Sequence, residues 1–142
     1  MAHVSQEMKK QLAPKIKEIC KRYRIRATLS VHNHSSLELN VKSGDIDFIN
    51  NYIDASNHKG YGHKIDTEQA EYLRRTQRIN VNTYWFHEHF AGQALKFLQE
   101  VIPALKGPDY FDESDSQTDY FHCSHYIGVN IGGFEKPYIL VK

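Results

Sequence analysis

Two His-x-Ser triplets carry residue types suited to phosphoester chemistry: His34-Ser35-Ser36 and His122-Cys123-Ser124. Two histidines facing one cleft would supply a base and an acid, and the neighbouring hydroxyls would hold phosphate. That geometry is the one a two-histidine phosphoesterase requires. The triplets are short, and they fall out of step under the internal repeat described below. A metal site is a second option. His32 and His34 share one side if the strand runs through both, and His122 or His125 would add a third ligand. No carboxylate or cysteine completes a recognised spacing, so turn histidines are expected rather than a metal or other cofactor. His87 and His89 lie two residues apart, and such side chains diverge on a helix. Cys123 is expected on a buried face, where a thiol is inert. The glycine clusters Gly60-Tyr61-Gly62 and Ile131-Gly132-Gly133 lack the lysine and helix of a phosphate loop.

These residues depend on the elements that would carry them. Residues 5–23 predict an amphipathic helix, with Met8, Leu12, Ile16, Ile19, Cys20 and Tyr23 on one face and Ser5 as its cap. Pro14 predicts that the regular helix begins near Ala13 after a looser turn or a kink. Ile25, Ala27, Leu29 and Val31, then Leu37, Leu39 and Val41, alternate with polar residues, as in a hairpin with one buried face. Ile46, Ile49 and Ile53 predict a helix capped by Ser43 or Asp45. Residues 55–66 predict a mobile loop. A short helix over 67–77, capped by Asp66 or Thr67, and an extended stretch over 79–86 come next. A second strong helix starts at His87 or Phe90 and runs to Leu105, with Pro103 and Gly107 marking its end. A second hairpin, TDYFHCS with HYIGVNIGG, and a tail apolar enough to pack or pair complete the chain.

A shift of ninety residues lays the first hairpin on the second. His32 meets His122, Leu37 meets Ile127, Leu39 meets Val129, Asn40 meets Asn130 and Val41 meets Ile131. Two helix–hairpin half-repeats, 5–44 and 90–133, are therefore expected within one domain spanning 1–142. The expected fold is α+β: an antiparallel sheet of about four to five strands packed on two main helices. Strand parity then sends the even positions to the opposite face. His32, Asn40, Tyr120, His122, Tyr126 and Asn130 form the candidate binding face. A face of His, Tyr, Asn and Ser suits a ligand, a nucleic acid or another subunit better than bulk solvent.

The chain has 142 residues and a net charge of +1, so bulk charge does not point to nucleic acid. The charge is polarised, however. Residues 1–26 hold eight Lys/Arg against Glu7 and Glu18, whereas residues 107–119 hold five acids and no base. Lys17, Lys21, Arg22, Arg24 and Arg26 form a candidate basic patch. It would serve nucleic acid, with Arg74, Arg75 and Arg78 and with Tyr120 and Tyr126 as stacking rings, or an acidic protein. Self-association of the basic helix with the acidic stretch would give a homo-oligomer. No apolar run is long enough to cross a bilayer, and the first residues lack the apolar core of a secretory signal. With Cys20 and Cys123 expected to be reduced, a cytoplasmic protein with no membrane partner is predicted.

Three stretches carry a resemblance to a known family: RATLSVHNHSSLELNVKSGDIDFINNY, INVNTYWFHEHFAGQALKFLQEV and SDSQTDYFHCSHYIGVNIGGFEKPY. They resemble one of the large polyvalent protein-associated domains of phage and mobile-element proteins, over about residues 20 to 138. The resemblance implies a phage or plasmid setting and an accessory or host-takeover role in the host cytoplasm. It brings no catalytic residues with it. The leading expectation is a non-enzymatic protein that binds a host factor in counter-defence or host takeover. Nucleic-acid binding comes second and the phosphoesterase third.

Overall fold

The computed structural model describes residues 4–59, 64–108, 110, 125–133 and 136–141. Helix α1 (Gln6–Arg22) starts where Ser5 Oγ accepts from the Met8 N–H at 3.0 Å, and it buries Ile16, Ile19 and Cys20. The regular helix does not wait until Ala13 to begin: it runs continuously from Gln6, with Pro14 inside it. Pro14 forfeits its own donor, but the cap holds the helix on one side and the buried stripe holds it on the other.

Strands β1 (Ile25–His32) and β2 (Ser36–Gly44) form the expected hairpin. Asn33 and His34 turn the chain at φ 51° and 58°, and the Ser35 N–H donates to the His32 carbonyl at 3.2 Å. Two consecutive left-handed residues give a turn whose twist matches that of the strands. A bulge between Arg26 and Ala27 leaves Lys42 without an opposite residue.

Helix α2 (Phe48–Lys59) is capped by Asp47, whose Oδ1 accepts from the Asn50 N–H, and not by Ser43 or Asp45. Residues 55–59, expected in a loop, continue α2, and Ala55 and Ser56 are buried there. Helix α3 (Thr67–Thr76) opens with a capping box between Asp66 and Gln69. Strand β3 (Ile79–Val81) is followed by a 3-10 turn over Phe86–Glu88. Helix α4 (Gly92–Lys106) starts later than expected, and Phe90 is buried just ahead of it. It carries Pro103 in its last turn and stops at Gly107, where φ is 79°. Strands β4 (Tyr126–Ile131) and β5 (Ile139–Leu140) complete the sheet.

The α+β class holds, but the sheet is mixed. Its order is β1-β2-β4-β3, with β5 pairing the end of β2. β1–β2 and β3–β4 are antiparallel, whereas β4 and β5 run parallel to β2. Between β2 and β4 the chain forms α2, α3, β3 and α4. A connection of that length permits the parallel return that a tight turn forbids. Over residues 129–131 both edges of β4 are taken, by β2 and β3. The expected second hairpin therefore does not flank β4 there; its first arm, residues 118–124, lies outside the described residues. The echo takes on a new meaning. Leu37 and Ile127, Leu39 and Val129, Asn40 and Asn130, and Val41 and Ile131 are Cα partners in the parallel ladder. Matched residues sit side by side, displaced by one strand spacing.

Odd-numbered strand residues face the helices. Leu37, Leu39, Val41, Ile79, Val81, Val129 and Ile131 are all buried. Phe48 centres the core: its ring meets Phe90, Phe97 and Tyr138 edge-on, at 6.4, 5.9 and 5.5 Å between centroids. α1 packs on α4, where Tyr23 meets Phe97 edge-on. Glu100 of α4 accepts hydrogen bonds from the Tyr23 hydroxyl and from Arg22. The Tyr23 hydroxyl, then Arg22, hold the Glu100 carboxyl below its ordinary pKa. Among the described residues no helix is long and apolar enough to cross a membrane.

Candidate binding face

The even positions of the sheet make a face on the side away from the core. A row of amides crosses it strand by strand. Asn80 Nδ2 donates to Asn130 Oδ1 at 3.1 Å. Asn130 Nδ2 donates to Asn40 Oδ1 at 3.2 Å and to Glu38 Oε1 at 3.0 Å. Asn40 Nδ2 donates to Ser30 Oγ at 3.0 Å. The chain of donors therefore runs in one direction, from β3 through β4 and β2 to β1. The ladder registers Asn40 against Asn130 and Asn130 against Asn80 bring the amides together. Gly128 supplies the space for Glu38. The two are Cα partners, and a Cβ on Gly128 would lie 3.1 Å from Glu38 Cγ.

Of the residues predicted for this face, Asn40 and Asn130 stand at its centre and are hydrogen-bonded to each other. Tyr126 is exposed at the start of β4, where its N–H donates to the Ser35 carbonyl. His32 is exposed at the end of β1, at the same end of the sheet, paired with Ser36 beside Tyr126. Tyr120 and His122 lie outside the described residues. Sequence reasoning missed Asn80, because it did not place β3 beside β4. It also missed Tyr84 and Trp85, which are 79% and 50% exposed and lie tilted at 5.8 Å. Asn82 Oδ1 accepts from both of their N–H groups and turns the chain outward. β3 runs antiparallel to β4, with Val81 opposite Val129, so this turn follows the end of β3 nearest Tyr126. Two adjacent large aromatics cannot both face the core from one strand, and that was the available signal.

The structure divides the basic patch. Lys17, Lys21, Arg24 and Arg26 line one groove between α1 and β1. Arg22 turns away to Glu100 and lies 3.6 Å from Glu18. Arg24 Nη1 is 3.5 Å from an Asp45 carboxylate oxygen. Arg74 Nε donates to Asn50 Oδ1, and Arg75 lies over the Tyr72 ring.

Of the described histidines, His34 is placed by its backbone, and His125 and His89 are held by side-chain contacts. His34 belongs to the turn rather than to a strand shared with His32, and its carbonyl accepts from the Val4 N–H at 2.8 Å. His125 is buried, and its Nε2–H donates to the Leu105 carbonyl at 2.9 Å. His89 Nδ1 meets Ser56 Oγ at 2.8 Å, and its ring stacks on Tyr52. Ser56 is 2% exposed, so its hydroxyl ties α2 to the 3-10 turn and is not presented to a substrate. Burial pushes the Cys20 thiol up to about 11, the condition of an inert cysteine. Among the described residues no three His, Cys, Asp or Glu side chains converge on a point that would hold a metal ion. Compared with protein-family models, with curated proteins and with solved structures, the chain matches none.

Proposed function

We propose that the chain is a non-enzymatic binding module whose open sheet face docks a folded host protein. The observation that carries this reading is the amide row Asn80–Asn130–Asn40–Ser30, with exposed aromatics at one end of the same sheet. Polar groups already bonded to one another lose little when a partner excludes water from them. Exposed Trp and Tyr supply the rigid anchors that dominate interface energies. The phage or mobile-element setting, and a part in counter-defence or host takeover, rest on the sequence resemblance alone.

The test is capture from nuclease-treated host lysate by the wild-type chain and by Trp85→Ala and Tyr126→Ala, followed by titration of the purified partner. Each truncation is expected to cost about 2 kcal/mol, roughly thirtyfold in Kd. Retained affinity in both variants removes the proposed face. A second reading, nucleic-acid binding, draws on Lys17, Lys21, Arg24 and Arg26 gathered on one groove. It requires affinity that falls steeply with salt, and the absence of any nucleic-acid shift would sink it.

A further inference from the structure

The outer edge of β1 forms a second surface, separate from the open face. β1 pairs with β2 and ends the sheet on that side among the described residues. An edge strand leaves the N–H and C=O groups of alternate residues pointing outward. The apolar side of β1 is also undercovered. Ala27, Leu29 and Val31 are half-buried, whereas Leu37, Leu39 and Val41 beside them are buried. α1 does not close over this edge. A groove of about 870 Å³ runs between the two, with Ala13, Ile16, Cys20 and Leu29 among its lining.

The charge of the groove is of one sign. Lys9, Lys17, Lys21, Arg24, Arg26 and Lys42 line it, and among the described residues no carboxylate does, although Asp45 lies 3.5 Å from Arg24 at its rim. We propose that the groove takes an extended acidic segment of a partner protein, which adds to β1 as a further strand. Main-chain hydrogen bonds to the free edge give the affinity. Alternate side chains of the added strand point to opposite faces. Apolar side chains on one face fill the space beneath α1, and carboxylates on the other lie beside Arg26 and Lys42. An apolar floor next to a strand edge that no described residue pairs favours a peptide over a nucleic acid, whose backbone has no strand pairing to offer.

The probe is a fluorescein-labelled eight-residue peptide alternating valine and glutamate, titrated into the full chain at low salt. Saturable binding with NMR amide shifts concentrated in β1 is expected. Lys17→Glu combined with Arg26→Glu, both exposed and so compatible with folding, should weaken binding by about tenfold or more. Two further peptides, N-methylated on the two alternate sets of amides, should behave differently. One set faces β1 and its methylation abolishes binding; the other set is tolerated. Tyr126→Ala should leave this binding unchanged, which separates it from the open face. Absence of binding at millimolar peptide, equal binding of both methylated peptides, or equal binding of a valine–lysine counterpart overturns the proposal. So does displacement by a single-stranded DNA of equal charge that binds more tightly, which would make the groove a general polyanion site.

Discussion

Asn130 is the residue on which the open face turns, since it donates to Glu38 and Asn40 and accepts from Asn80. Asn130→Asp keeps the shape and removes both donated bonds. The introduced carboxylate then meets the Glu38 carboxylate and the Asn40 carbonyl oxygen. At neutral pH the variant should lose about 2 kcal/mol of stability in urea unfolding. Like-charge repulsion from Glu38 raises the folded-state pKa of the introduced carboxylate above its unfolded value. The deficit should therefore shrink as pH falls through that raised value, while wild type shows no such recovery. Tyr138 gives the alkaline counterpart. Its hydroxyl donates to the Ile46 carbonyl at 2.8 Å inside the core. Burial, then Asp47 and Asp45, push its pKa up. A raised folded pKa gives stability that is complete below the unfolded value, about 10, and lost as pH rises beyond it. Tyr138→Phe should cost about 1 kcal/mol at neutral pH, because the Ile46 carbonyl loses its donor. It should also flatten the decline of Tm above about pH 10. An unchanged alkaline slope would remove Tyr138 from that account.

At the scale of elements, the junctions between helices are set by single polar side chains. Ala91 caps α4 without a side-chain hydrogen bond of its own. Asn51 of α2 serves instead: its Oδ1 accepts from the Ala91 N–H and its Nδ2 donates to the Ala91 carbonyl, each at 2.9 Å. Asn51→Ala should cost about 2 kcal/mol in urea unfolding. Asn51→Asp should not rescue it, since an oxygen would then face the Ala91 carbonyl. A loss under 0.5 kcal/mol, the ordinary range of surface substitutions, would deny the clamp. Such junctions explain what the sequence made legible. The period of two in β1 and β2 and the stripes of α1 and α4 are local signals, and they place Asn40 and Asn130 on the polar side. The neighbours of β4 are not local. The ninety-residue echo matches Leu39 to Val129, but nothing near residue 129 records that the two lie side by side or that Val81 is its other neighbour, so the sheet order stayed hidden and Asn80 with it. Pro14 misled for a related reason, because tertiary burial outweighs one missing hydrogen bond.

At the scale of the whole molecule, β2 joins two kinds of pairing. With β1 it closes a three-residue turn, and with β4 it pairs residues ninety positions away. Closing the long connection costs chain entropy before any ladder contact offsets it. The unit α1–β1–β2 should accordingly form early in folding, with β4 inserted between β2 and β3 late. Two truncations on the same apolar face distinguish the stages: Val31→Ala in the hairpin and Val129→Ala in β4. Val129 is fully buried, so its truncation should cost enough stability, about 2 kcal/mol, for a reliable kinetic partition. In stopped-flow chevrons, Val129→Ala should act mainly on the unfolding limb, with φ below about 0.3. Val31→Ala should slow folding and give the larger φ. If Val129→Ala slowed folding in proportion to its whole stability loss, the parallel ladder would already be formed in the transition state. The hairpin would then not be the nucleus, and the β2–β4 pairing would be the event that organises the fold.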